Sequence, residues 1–280
     1  MEYQFETRHI IGPAEVNKID SSTLRRHFLI ENLLEEDRIC LTLSYYDRFI
    51  AGGIMPVQRQ LPLPNPPHLK SAFFLERREI GIVNIGGKGQ VMVDGLEYLL
   101  ESHDALYIGA GAREVKFQSP NPANPAKFYV NSAPAHAHYP AKKISAGEAL
   151  RVEAGDLVSA NRRTIRKYIV RELLHLCQLQ MGLTTLHEGS IWNTMPPHTH
   201  DRRMEVYFYF NLAAERRICH LMGEAQETRH IWVKNEQAVI VPYWSIHSGA
   251  GTSSYEFIWG MAGENLDYGD MDVVKFSELR

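Results

Sequence analysis

Four side chains in the carboxy-terminal part of the chain constrain its fold more than any other feature. His198 and His200 stand two residues apart, Glu205 follows five residues later, and His247 comes further along. Side chains two apart on an extended strand point to the same face, so both histidines can contact one ion. A polar stretch before Glu205 predicts a turn, and later apolar runs predict strands that bring His247 alongside. This arrangement indicates a metal ion inside a small β-barrel.

The ligand types narrow the choice of metal. Three imidazoles and one carboxylate suit a borderline divalent ion such as Zn²⁺, Fe²⁺, Ni²⁺ or Mn²⁺. Because the chain has 13 histidines, a His-x-His pair alone is weak evidence, and His136 and His138 form a second pair. That second pair lies in a Pro/Ala-rich stretch typical of a loop, and no acidic residue follows it at a useful strand position. We therefore predict the metal at the first set.

The spacing of these residues resembles the motifs of the cupins. The first cupin motif contains His-x-His followed by Glu, as in residues 198–205, and the second contains Pro-x-Gly-x-x-His, matched here by Pro242 and His247. Trp244 stands where the second motif has glycine. The resemblance implies an all-β jelly roll of two packed antiparallel sheets.

A short internal repeat predicts that this fold occurs twice. Residues 75–83 can be laid over residues 200–208, with coincident Arg-Arg pairs, and residues 104–109 over residues 237–242. We therefore predict two cupin-like barrels in tandem, a bicupin, with a few short helices. Residues 1–150 are expected to form a metal-free structural domain and residues 151–280 the domain with the metal site. The overlay places these residues on the four ligand positions: Phe73, Leu75, Ile80 and Glu114.

Composition excludes several classes of partner. The chain of 280 residues carries 30 basic and 33 acidic side chains, so its charge gives no case for nucleic acid or an anionic membrane. No apolar run approaches the roughly 20 residues that span a bilayer, and the first residues lack a signal pattern. The three cysteines, Cys40, Cys177 and Cys219, form no Cys-x-x-Cys motif. These observations favour a cytoplasmic protein.

Longer strings resemble the family of 5-keto-4-deoxyuronate isomerases. They include residues 52–56, 74–79, 161–165, 192–200, 203–210, 226–230, 244–249 and 257–261. The resemblance implies a ketol-isomerase of pectin breakdown that converts 5-dehydro-4-deoxy-D-glucuronate to 3-deoxy-D-glycero-2,5-hexodiulosonate. It also implies a homo-hexamer with one Zn²⁺ per subunit, held by His198, His200, Glu205 and His247.

The catalytic residues are less constrained by the sequence. Ketol isomerisation needs a proton carrier near the reacting carbons. Glu205 fits that role if it leaves the metal, although we favour it as a ligand. Tyr207 and Tyr209 share the strand face of Glu205, and we select Tyr207, while an ordinary place in the barrel core explains either tyrosine equally well. His230 is a further candidate, but an isolated histidine is more often structural.

The substrate is an anion, which predicts a cation beside it. In an extended segment Arg163 and Lys167 fall on one face, and Arg162 and Arg166 on the other. Arginine presents a fork that matches a carboxylate. We therefore predict that Arg163 and Lys167 bind the substrate carboxylate.

Two other functions stay open at this point. The same ligands suit an iron-dependent cupin dioxygenase, because open coordination positions can take O₂. A non-catalytic sugar-acid-binding cupin is the third possibility, since one barrel hosts many functions. Metal identity and oxygen consumption separate the first two.

Overall fold

Strands joined by tight turns account for most of the chain in the computed structural model, which describes residues 3–264 and 267–280. The strands up to residue 144 are β1 (Tyr3–Arg8), β2 (Leu29–Ile30), β3 (Arg38–Ser44), β4 (Ile50–Met55), β5 (Leu61–Pro62), β6 (Arg78–Asn84), β7 (Gly89–Val93), β8 (Leu96–Leu100), β9 (Ala105–Ile108), β10 (Val115–Gln118), β11 (Phe128–Pro134) and β12 (Lys142–Ile144). The later strands are β13 (Leu150–Ala154), β14 (Arg163–Ile169), β15 (Gln180–Leu186), β16 (Trp192–Asn193), β17 (His198–Thr199), β18 (Arg203–Phe210), β19 (Ile218–Glu224), β20 (Glu227–Val233), β21 (Gln237–Val241), β22 (Ser248–Gly251), β23 (Glu256–Gly263) and β24 (Asp272–Val273).

The described helices are short. They are α1 (Pro13–Val16), α2 (Ser21–Phe28) and two 3₁₀ turns, Pro67–Leu69 and Phe276–Glu278. The N-cap of α2 is Asp20, whose side chain accepts a hydrogen bond from the Thr23 backbone N–H. Among these helices none has the length and apolar character needed to cross a bilayer.

The chain divides into two compact units. The first contains residues 3–7, 32–149 and 168–181, and the second contains residues 8–31, 150–167, 182–264 and 267–280. This differs from a single division at residue 150 in two segments, 8–31 and 168–181. The first of these joins the second unit because β2 pairs with β21, a partner about two hundred positions later that no local pattern reveals.

Each unit pairs one seven-stranded sheet with one four-stranded sheet. The first unit has the orders β1-β3-β4-β11-β6-β9-β12 and β5-β10-β7-β8; the second has β13-β14-β15-β23-β18-β21-β2 and β16-β22-β19-β20, with β17-β24 as a separate ribbon. Paired strands in these sheets run antiparallel. The predicted all-β, cupin-like jelly roll is confirmed in both units.

Strand register identifies equivalent positions in the two units. Ile80 on β6 pairs with Ile108 on β9, and Glu205 on β18 pairs with Val241 on β21. On their other edges, β6 pairs with β11 and β18 pairs with β23, and these two pairings have matching registers. Ile80 and Glu205 therefore hold the same place, as the repeat predicted. Glu114 directly precedes β10 as His247 directly precedes β22.

Candidate metal centre

Strand β18 builds the floor of the site. All eight of its residues, Arg203 to Phe210, are buried, so both faces of the strand lie inside the fold. Alternation along the strand places Glu205 and Tyr207 on the face of a cavity, with Met204 and Val206 on the opposite face. The sequence pattern of this strand therefore sets which side chains reach the cavity.

Four donor side chains converge on this floor. One ligand atom from each of His198, His200, Glu205 and His247 can be chosen so that all four lie within 4.8 Å of one another. The Nε2 atoms of His198 and His247 are 3.0 Å apart, and Nε2 of His200 is 2.7 Å from Oε1 of Glu205. Within residues 3–264 and 267–280, no other group of three or more His, Cys, Asp or Glu residues brings its ligand atoms close enough to hold a metal ion. The four predicted ligands are thus together.

Burial keeps two of the imidazoles neutral. It lowers the pKa of His198 to about 4 and holds the pKa of His247 well below its usual range. Burial alone raises the pKa of the Glu205 carboxyl, but positive charge beside it, as on the His247 and His200 rings when they are protonated, lowers the net pKa below its usual range. A neutral imidazole and an ionised carboxylate are the protonation states that ligate a divalent ion.

The hydrogen bonds of His200 show that the donor set fits a cation. Its Nδ1 lies 2.7 Å from the Asp270 carbonyl oxygen, and because a carbonyl only accepts, Nδ1 carries the hydrogen. In the neutral ring Nε2 then presents a lone pair, and this buried atom has no hydrogen-bond partner although Oε1 of Glu205 is 2.7 Å away. Two lone pairs facing each other at this distance need a positive partner, which is either a proton on Nε2 or a metal ion that both atoms bind. A borderline divalent ion, which takes nitrogen and oxygen ligands, fits such a set.

The cavity above the donors has a volume of about 240 Å³. Its walls mix aromatic, apolar and a few polar side chains, as small-molecule sites do. The lining residues are Arg163, Ile165, Thr184, Thr194, Met195, Pro196, His198, His200, Arg203, Glu205, Tyr207, Phe257, Trp259, Met261, Tyr268, Met271 and Val273. Gly182 makes room for Trp259, because a Cβ at this position would lie 2.0 Å from the indole ring.

Tyr207 lies in the cavity wall beside the ligands. Its ring packs edge-on against His247, with centroids 5.2 Å apart, and its hydroxyl is 3.0 Å from Oγ1 of Thr194. Burial and the nearby charge of Glu205 raise the pKa of Tyr207 well above its usual range. The phenol is therefore a protonated group that can donate a hydrogen bond into the cavity. The Tyr209 hydroxyl instead lies 2.7 Å from Nδ1 of His220.

The two predicted substrate-binding cations lie at different depths. Arg163 lines the cavity, donates one hydrogen bond of 2.9 Å to the Asn161 carbonyl, and burial lowers the pKa of its guanidinium. Lys167 lies further out, with Nζ 3.8 Å from the centroid of the Tyr268 ring, and that ring lines the cavity. Their shared strand face follows from the predicted alternation. Binding of substrate by either residue stays a prediction.

The remaining candidates lie elsewhere. His230 is exposed on β20 and contacts Trp232. His136 and His138 lie in the loop between β11 and β12, as expected. The three cysteines are free thiols, with Cys40 and Cys177 buried.

Arg203 is the main residue of the site that the sequence did not reveal. It is 1% exposed, lines the cavity, and lies on the strand face of Glu205. The sequence analysis also did not predict Tyr268 as a cavity residue, because its segment lies far along the chain from the four donors. The coincident Arg-Arg pairs of the repeat were a signal for Arg203, since the equivalent Arg78 is buried too.

Comparison with known proteins agrees with this site. The model of the KduI/IolB family matches residues 63–275. A protein from Formosa agariphila, named 4-deoxy-L-threo-5-hexosulose-uronate ketol-isomerase, is 55% identical over 280 residues and covers 100% of both chains. A protein of the same name from Yersinia pseudotuberculosis is 54% identical over 277 residues, 98% of this chain and 100% of its own.

Solved structures support the fold. An IolB-like protein from Salmonella typhimurium superimposes with a TM-score of 0.65 and 16% identity, covering 81% of this chain and 86% of its own. At that identity the likeness concerns architecture alone. The resemblance to the isomerase family seen in the sequence is confirmed by the two near relatives.

Proposed function

Because this chain belongs to the KduI/IolB family, we propose that it is a metal-dependent ketol-isomerase in polyuronate breakdown. Its substrate is 5-dehydro-4-deoxy-D-glucuronate, also called 4-deoxy-L-threo-5-hexosulose uronate, and its product is 3-deoxy-D-glycero-2,5-hexodiulosonate. The observation that carries the proposal is identity above half over the full length of relatives named for this reaction. The cluster of four donors supports it, as does the adjacent cavity, whose wall includes the guanidinium of Arg163.

The reaction moves two protons within the substrate. One proton leaves the hydroxyl-bearing carbon and is delivered to the aldehyde carbon, and the hydroxyl proton passes to the former aldehyde oxygen, so that the two carbons exchange oxidation states. No external oxidant or reductant enters. Negative charge collects on the two oxygens as the proton departs, and the site must stabilise that charge.

We assign the metal to His198, His200, Glu205 and His247, with zinc as the ion. When bound there, the ion supplies Lewis-acid chemistry that polarises the substrate carbonyl and stabilises charge on oxygen. The position of Glu205 supports its role as a ligand, because its carboxyl is buried and its Oε1 lies 2.7 Å from Nε2 of His200.

Tyr207 donates a hydrogen bond to a substrate oxygen in this proposal. Its phenol is protonated, lines the cavity, and already lies within hydrogen-bond distance of the Thr194 hydroxyl. The Tyr207→Phe enzyme should lose about a hundredfold in kcat with little change in KM, because the bond matters most when charge develops. Tyr209→Phe is the matched control, since its hydroxyl meets His220 instead. Equal losses in both variants would remove Tyr207 from the reaction.

Arg163 anchors the substrate carboxylate. Its guanidinium donates a hydrogen bond from Nη1 to the Asn161 carbonyl, which leaves other N–H groups for a ligand in the cavity. Arg163→Ala should raise KM by about tenfold or more, since a hydrogen bond to a charged group contributes about 1.5–3 kcal/mol. Arg166→Ala is the control, because Arg166 donates to Thr185. An unchanged KM in Arg163→Ala discards the assignment. Lys167→Ala should have a smaller effect through Tyr268.

The decisive assay uses purified protein and 5-dehydro-4-deoxy-D-glucuronate released by a lyase. Conversion to the 2,5-diketo product that stops with a chelator and returns with Zn²⁺ supports the proposal. Absence of conversion by protein shown to carry metal overturns it. Oxygen uptake by the Fe²⁺-loaded protein would favour the dioxygenase, and tight uronate binding without turnover would favour a binding protein.

We further propose that the enzyme is a cytoplasmic homo-hexamer. The proposal comes from the resemblance to the isomerase family. Sedimentation velocity of the purified chain, whose subunit mass is 32.0 kDa, tests it directly. A monomer at micromolar concentration would contradict it.

A further inference from the structure

A carboxy-terminal segment, residues 267–274, lies against the metal ligands. We name it the strap. Its strand β24 pairs with β17, so that Val273 faces His198 and Asp272 faces Thr199. The backbone N–H of Val274 also donates to the Pro197 carbonyl at 2.9 Å. The strap therefore fixes the backbone of one ligand.

The strap also fixes the side chain of a second ligand. The Asp270 carbonyl accepts a hydrogen bond from Nδ1 of His200 at 2.7 Å. This bond orients the ring and sets the tautomer that presents Nε2 to Glu205. The Asp270 side chain itself is exposed. The backbone position of the strap is what matters here.

One buried guanidinium holds this backbone in place. Arg203 donates from Nη1 to the Asp267 carbonyl at 3.0 Å, and from Nη2 to the carbonyls of Tyr268 at 3.3 Å and Asp270 at 3.1 Å. Asp270 thus accepts from both Arg203 and His200. Because Arg203 is only 1% exposed, losing these acceptors would leave a buried cation without partners.

We propose that Arg203 is a positioning residue for the metal centre: it pins the strap so that the Asp270 carbonyl holds His200 ready to bind metal. This inference rests on the proposed metal site but not on the identity of the substrate. The strap also contributes Tyr268, Met271 and Val273 to the cavity wall. Pinning therefore shapes the metal centre and the cavity together.

The first unit supplies a matched control. Arg78 is the equivalent of Arg203, at the start of β6, and is also buried. It donates to the carbonyls of Arg48 at 2.7 Å and Ser132 at 2.8 Å. Arg78 thus holds backbone in the same manner, far in sequence from any ligand. A variant there reports the cost of losing a buried arginine by itself.

The test measures zinc affinity by competition with a chromogenic chelator, without substrate. Arg203→Met should weaken zinc binding by about 10–100-fold, the usual range for groups that orient a ligand. Arg203→Lys should recover part of this loss, because an ammonium still donates to carbonyls. Arg78→Met should bind zinc as wild type does, even where its metal-free form melts as early as Arg203→Met. Asp270→Ala should also bind as wild type, since the carbonyl remains.

Wild-type affinity in Arg203→Met would overturn the inference. If that variant does not fold, limited proteolysis of the wild-type chain decides: zinc should slow cleavage within the strap at least tenfold, and equal rates with and without zinc would overturn it. A wild-type chain that binds no zinc would remove the metal centre itself. Zinc binding that responds to Arg203 in a protein without isomerase activity would instead leave this inference standing and remove the proposed reaction.

Discussion

Strands β6 and β18 hold the same place in the two units but have different interiors. Where β18 carries Glu205 among three imidazoles, β6 carries Ile80, which is completely buried. Ile80 lies in an apolar cluster that includes Ile82 and Ile108. The same backbone register thus supports a polar centre in one unit and a closed core in the other. Fold alone does not create the site.

Two buried carboxylates sharpen this contrast. Glu79 in the first unit accepts hydrogen bonds from three successive backbone N–H groups, residues 177–179, and from the Tyr107 hydroxyl, at 2.7–2.9 Å. Its bonding is complete, so it serves the structure. Glu205 instead faces histidine nitrogens, one of which lacks a hydrogen-bond partner. A buried acid with incomplete bonding is the one that can take a ligand.

The largest expected effect comes from comparing two substitutions at equivalent positions, one in each unit. His247→Ala should abolish zinc binding and reduce kcat at least about a thousandfold, because the Lewis acid contributes several kcal/mol. Glu114→Ala, at the equivalent place before β10, should change neither quantity. Zinc content by atomic emission and the isomerase assay check both. Loss of zinc in Glu114→Ala would contradict the assignment of one metal to the second unit.

The next effect concerns the apolar interior of the first unit. Ile80→Glu introduces the residue found at the equivalent position, Glu205, but among the described residues the first unit has no imidazole cluster to pair with it. Burying an unpaired carboxylate should lower the free energy of unfolding by about 3–5 kcal/mol. Ile80→Met is the control and should cost less than about 1.5 kcal/mol. Urea unfolding measures both, and a stable Ile80→Glu protein would show that the equivalence is looser than the register indicates.

A smaller effect tests the structural carboxylate. In Glu79→Gln an NH₂ group replaces one oxygen, yet each oxygen accepts two hydrogen bonds, so donors would face donors. The expected loss is about 2–3 kcal/mol of unfolding free energy, with zinc affinity unchanged. Exposed Glu97→Gln serves as the control. A fall in zinc affinity in folded Glu79→Gln protein would contradict the separation of roles.

Local sequence patterns were sufficient to predict that these donor side chains come together. His198, His200 and Glu205 lie within eight residues, and strand alternation orients them, so type and spacing carried the information. The β architecture followed from short apolar runs and turn residues. Alternation also placed Arg163 and Tyr207 on faces that reach the cavity. Such features depend on neighbours in the chain.

Features that depend on contacts with distant backbone could not be predicted from the sequence. The carbonyls that Arg203 binds lie 64 to 67 positions away and leave no trace in residue type. The pairing of β2 with β21 likewise moved residues 8–31 into the second unit. A pattern of side chains predicts which face a residue takes, but main-chain partners are set only when the whole fold assembles.

The smallest expected effect concerns the helix α2, which belongs to the second unit. Hydrogen bonds from Thr23 and Ser22 lower the pKa of its N-cap, Asp20, from 3.8 to about 2. A depressed pKa means that the cap contributes stability above pH 4 and loses it as the pH falls towards 2.

Asp20→Ala should lower the melting temperature of the metal-free protein by about 2 °C at pH 7, and the difference from wild type should shrink by pH 3. Asp20→Asn keeps the cap without titrating, so it should match wild type at pH 7 and be the more stable of the two at pH 3. A gap between wild type and Asp20→Ala that stays constant from pH 7 to pH 3 would show that charge on the cap contributes nothing, and that hydrogen-bond geometry alone holds the helix.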